Sequence, residues 1–102
     1  MTGRRVRRTI DRLRDRASEG ASEESFRVYY ERLGREVARR RERLRLSQRE
    51  LAELCGTTQS AVARLEGGSR AARLDTLLRV ANALDAELVV RLRPRTSPRG
   101  SR

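Results

Sequence analysis

The chain has 102 residues, 25 of them basic and 14 acidic, giving a formal charge of +11 and a pI near 11.6. It contains no histidine, and therefore no imidazole base, proton shuttle or metal ligand; the single Cys55 can form neither an internal disulfide nor a cysteine-rich zinc site. These facts exclude most enzyme chemistries and favour a binding protein that needs no metal or cofactor, with an anionic polymer as its leading partner.

Only 36% of the residues are hydrophobic, so one domain with a small core is expected, and a dimer would bury more surface. Every basic residue is arginine. Forked contacts to phosphate and guanine would use that bias, and a GC-rich coding sequence would produce it without any such need. No stretch suits a signal peptide or a transmembrane helix, so a cytoplasmic protein with no membrane partner is expected. The charge is uneven: +4 over residues 1–20, −1 over 21–30, +3 over 31–90 and +5 over 91–102. The middle is balanced as a folded domain should be.

Within residues 1–22, Val6, Ile10, Leu13 and Ala17 recur at helical spacing and predict a short, basic amphipathic helix, followed by a hinge at Ser18–Ser22 around Gly20. Residues 23–86 begin with one long helix over Glu23–Leu44. Ser22 is its N-cap, Phe26, Tyr30, Leu33, Val37 and Leu44 form its apolar face, and Gly34 is a point of bending. Arg39, Arg40, Arg41, Arg43 and Arg45 complement its C-terminal dipole.

Ser47 and Glu50 form a capping box that starts a helix at Gln48, with Leu51, Ala52 and Leu54 as its apolar face. Gly56 ends it in a left-handed turn. Thr57 then caps a second helix whose inward face is Ala61, Val62 and Leu65. Two short helices around a glycine turn make a helix-turn-helix, and Cys55 reads as a small residue at a helix end. Leu74, Leu77, Leu78, Val80, Ala81 and Leu84 predict a closing core helix. Over residues 87–93, Leu88, Val90 and Leu92 alternate with Val89, Arg91 and Arg93, which is strand spacing. A lone strand must find a partner, and the same strand of a second copy across a twofold axis supplies one. Residues 94–102, with both prolines, read as a disordered basic tail able to seek phosphate.

Leu-Ser-Gln-Arg-Glu-Leu-Ala at 46–52, Gly-Thr-Thr-Gln-Ser-Ala-Val at 56–62 and Arg-Leu-Glu-Gly-Gly at 64–68 together resemble the Cro/cI (XRE) type of helix-turn-helix over about Leu33–Leu84. The resemblance implies an all-α, lambda-repressor-like bundle. Here that bundle would carry an N-terminal helical extension and one C-terminal strand. It also implies that the second helix of the motif lies in the major groove, with Gln59, Ser60 and Arg64 at base edges. Gln pairs bidentately with adenine and Arg with guanine, whereas Ser60 is too short to specify strongly. By the same resemblance Gln48, Thr58, Arg70 and Arg73 fall at backbone phosphates, and Arg41 and Glu66 match a pair that orients the recognition helix. Where the family often has Pro-Ser before the next helix, this chain has Ala72-Arg73, which weakens that cap and makes room for a phosphate role at Arg73.

The extension Glu-Ser-Phe-Arg-Val-Tyr-Tyr-Glu at 24–31, followed by this domain and strand, resembles HigA-type and, more loosely, HipB-like antitoxins. That implies a homodimer on a palindromic operator, repressing its own operon and masking a small RelE-like ribonuclease toxin. Phe26, Tyr29 and Tyr30 would face the toxin, or pack the long helix on the core. Basic toxins would be repelled by this chain, although Glu19, Glu23, Glu24 and Glu31 relieve that locally. The competing expectations are a stand-alone or phage-derived XRE-type regulator without a toxin, and a basic protein that binds RNA or membrane through its arms.

Overall fold

A computed structural model describes residues 2–20, 23–69 and 72–95, which form five α-helices. They are α1 (Thr2–Gly20), α2 (Glu23–Arg43), α3 (Gln48–Cys55), α4 (Gln59–Glu66) and α5 (Leu74–Ala83). The expected hinge does not begin at Ser18: α1 continues through Gly20, and residues 21–22, with the expected Ser22 cap, lie outside the described residues. So do Arg70 and residues 96–102.

The core joins α2 to the three short helices. Val37, Leu51, Ala52, Cys55, Val62, Leu65, Val80 and Leu84 are buried together, with Leu33, Leu46, Ala72, Leu77 and Ala83 packed at its edge. Leu51 and Val62 are the largest fully buried side chains, each contributing about 1.5–3 kcal/mol. In α3 the inward positions are Leu51, Ala52 and Cys55, one turn apart, so Leu54 points outward, contrary to expectation. Leu44, Leu74 and Leu78 are likewise exposed. The apolar periodicity of α5 is wider than the face the small core can cover.

α2 runs unbroken through Gly34, whose absent side chain lets two helices touch. A Cβ there would stand 2.5 Å from the Leu65 carbonyl oxygen and 2.6 Å from that of Glu66. The expected bend is thus replaced by a close helix crossing, which fixes α4 against α2.

No strand occurs among the described residues, so the expected strand at 87–93 is corrected. A strand exists only through hydrogen bonds to another strand, and a single copy supplies none. Instead the chain turns at Asp85 (φ 53°) and doubles back along α2. Arg40 grips this turn, donating from Nε to the Leu84 carbonyl at 2.8 Å and from Nη2 to that of Asp85 at 2.9 Å. Leu88 then forms part of the wall of a mostly apolar cleft, together with Leu33, Val37, Leu77, Val80 and Leu84, while Val90 and Leu92 are exposed.

Candidate nucleic-acid interface

The helix pair is set by its caps. Ser47 Oγ accepts the Glu50 N–H at 3.0 Å, and Glu50 Oε1 accepts the Ser47 N–H at 2.8 Å, which closes the capping box of α3. The Ser47 backbone N–H and hydroxyl hold the Glu50 carboxyl below the ordinary carboxylate range. At the other end Gly56 adopts φ 69°, ψ 34°, and the Thr57 N–H returns to the Ala52 carbonyl at 2.9 Å. That bond keeps Thr57 inside the turn, so the cap of α4 is Thr58, one residue later than expected. Thr58 Oγ1 accepts the Ala61 N–H at 3.1 Å, which leaves its own hydroxyl proton free to donate to an anion.

α4 is amphipathic in the required sense. Val62 and Leu65 are buried, while Gln59, Ser60 and Arg64 stand exposed on one side. Gln59 and Ser60 occupy the first turn and Arg64 follows one turn on, all reachable by a surface lying against the start of the helix. Arg64 makes no ion pair or side-chain hydrogen bond with any described residue, so its five donors are uncommitted.

Glu66, at the end of α4, is held from two directions. Arg41 donates from Nε to Oε2 at 2.6 Å and from Nη2 to Oε1 at 3.0 Å, and Gln48 Nε2 donates to Oε1 at 3.0 Å. Arg41 also donates from Nη1 to the Leu46 carbonyl at 2.8 Å. Its guanidinium is raised further above its ordinary pKa, chiefly by the Glu66 hydrogen bond. The side chains of Arg41 and Glu66 are only 12% and 8% exposed, so the pair is shielded from salt. Gln48 therefore spends one amide proton inside the domain, a link absent from the sequence reading.

Arg73 caps α5 by position only: it makes no side-chain cap bond, and its exposed guanidinium lies 3.5 Å from Asp75. Leu88 is half-buried, and Phe26 and Tyr29 are 40% and 70% exposed, with Tyr30 half-buried. None of these three aromatics belongs to the core cluster. The buried Cys55 thiol is pushed up by burial, which outweighs the opposing charge of Arg79, and among the described residues its hydrogen bond is a long one to the Arg79 carbonyl, so the unreactive thiol form is favoured. Sequence reasoning missed Arg40, because nothing distinguishes it from Arg39 or Arg43 until α5 is in place. No helix among the described residues is long and apolar enough to cross a membrane.

Two capped helices across a left-handed glycine, the second offering glutamine, serine and arginine to solvent, define the helix-turn-helix class of DNA-binding domain. The chain belongs to the helix-turn-helix family, whose model matches residues 37–90. Among solved structures it is similar to the restriction-modification controller protein C.AhdI from Aeromonas hydrophila, at 36% identity and a TM-score of 0.55, over 57% of this chain and 84% of that one. No curated protein matches the chain.

Proposed function

We propose that this protein is a sequence-specific DNA-binding transcriptional regulator that places α4 in the major groove. The observation that carries this reading is the exposed row Gln59, Ser60 and Arg64 on a helix anchored from behind by Arg41, Glu66 and Gln48. Gln59 and Arg64 read base edges, with Ser60 a minor contributor. Gln48, Thr58, Arg70 and Arg73 bind backbone phosphates and set the register. The helix-turn-helix family and the likeness to a restriction-modification controller support a regulator that acts without a catalytic step.

The regulator works as a homodimer on a palindromic site. Leu54, Leu74, Leu78, Val90 and Leu92 are exposed, and a small domain gains by covering such residues. In this dimer residues 87–93 of two copies pair as strands, each copy supplying the backbone that the other lacks, and Leu88, Val90 and Leu92 share one face of the paired segment. Selection of bound sequences from a random DNA pool tests the reading. A palindromic consensus bound about 10³-fold more tightly than random DNA supports it, and binding without sequence preference overturns it.

A stand-alone controller is the reading favoured by the 36% relative. The antitoxin reading is favoured by one observation, the exposed Phe26 and Tyr29 on α2, since aromatics of this kind anchor protein interfaces. Co-purification from the native host separates the two: a stoichiometric small ribonuclease lost on Tyr29→Ala identifies an antitoxin, and its absence identifies the controller.

A further inference from the structure

α1 carries a seam that no part of the described fold covers. Val6, Ile10 and Leu13 are each about half exposed, at 49%, 47% and 54%, and with Ala17 they step by four, three and four residues. That alternation is the narrow two-in-seven stripe of a coiled-coil seam rather than the broad face of a helix lying on its own core. Gly3, Val6, Arg7 and Ile10, then Arg7, Ile10, Asp11 and Arg14, line a groove beside it at the spacing that receives knobs from a second helix.

The residues flanking the seam determine what can enter. Arg7 and Arg14 flank it on one side and Arg16 on the other, while Asp11 and Asp15 occupy positions further round the helix. The ion pair of Arg14 with Asp11, at 3.6 Å, is 71% and 61% exposed and worth little, so Arg14 stays available. A second copy is a poor occupant. Antiparallel self-pairing sets Arg7 against Arg14 of the copy, and parallel pairing sets Thr9 against Arg14 where an acid would be needed. A lipid surface is also a poor occupant, because interfacial helices immerse a wide face with Trp, Phe or several Leu, and this seam has no aromatic and a single Leu.

We infer that α1 is a docking helix for a partner protein, and that the partner presents an amphipathic helix with acidic residues flanking its own apolar seam. The inference is independent of DNA binding by α4. It gives Arg7, Arg14 and Arg16 a role that the helix-turn-helix does not use.

The test uses the full-length protein and a labelled synthetic helix with leucine along its seam and glutamate at both flanks, followed by fluorescence anisotropy. A control helix has the same seam flanked by arginine. The glutamate helix should bind and the control should not. Ile10→Ser with Leu13→Ser, which leaves the charge untouched, should weaken binding at least about tenfold. Arg7→Glu with Arg14→Glu should switch preference to the control helix. The inference is overturned if the serine variant binds the glutamate helix as well as the parent does, since the attraction would then be charge alone. It is also overturned if the parent self-associates through this seam in sedimentation, or if it prefers phosphatidylglycerol vesicles to the peptide.

Discussion

The Arg41 guanidinium meets the Glu66 carboxylate in a two-pronged ion pair, at 2.6 and 3.0 Å, across 25 residues of sequence and at the edge of the core. The pair ties the last turn of α2 to the last residue of α4, and Gln48 extends the tie to the first residue of α3. Removing one member strands the other in a poorly solvated place. Arg41→Ala and Glu66→Ala should each lower unfolding stability by about 3 kcal/mol in urea titration. The double variant should lose much less than the sum. Additive losses would show that the two groups do not depend on each other.

The crossing at Gly34 gives a prediction opposite to helix propensity. Alanine in the middle of an exposed helix would normally gain up to about 1 kcal/mol. Here its Cβ would lie 2.5 Å from a backbone oxygen that cannot swing aside, so Gly34→Ala should destabilise by about 1–3 kcal/mol. A raised melting temperature would mean that α2 and α4 do not cross this closely.

Much of this arrangement is legible in the sequence, for identifiable reasons. Ser47, Glu50, Gly56 and the buried residues Leu51, Val62 and Leu65 act locally, and their spacing announces both helices. Thr57 and Thr58 were not separable by composition, because either could cap; the bond from Thr57 to Ala52 decides it. Leu54, Leu74 and Leu78 look like core to any periodicity argument, and only the small size of the packed unit leaves them outside. The role of Gly34 is invisible until α4 lies against it. The strand expectation failed because alternation specifies a strand only when a second backbone is present.

The cap of α5 is weak and improvable. Arg73 supplies no side-chain bond to the helix start, so Arg73→Ser should add one and stabilise the fold by about 1 kcal/mol. If Arg73 also holds a phosphate, the same change should reduce the slope of log affinity against log salt by about 1 per protomer, equally on all sequences. An unchanged slope in a salt titration would remove Arg73 from the interface.

The Glu50 carboxyl titrates lower in the folded chain than in the unfolded one, because it accepts the Ser47 N–H. Its contribution is therefore complete above the ordinary carboxylate pKa and is lost as pH falls through its depressed folded value. Urea midpoints of the parent and of Glu50→Gln should differ at neutral pH and converge in acid. A gap that stays constant with pH would show that the capping box does not depend on the ionised group.

Arg64 tests the central claim most directly, since it alone on α4 offers an uncommitted guanidinium to a base edge. The measurement is the affinity of the parent and of Arg64→Ala for the selected palindrome and for its single-base variants at physiological salt. The account predicts that Arg64→Ala loses about 1–3 kcal/mol on the palindrome and ceases to discriminate at one base pair in each half-site, while other positions keep their preference. An equal loss on every sequence would place Arg64 at a phosphate and contradict the account.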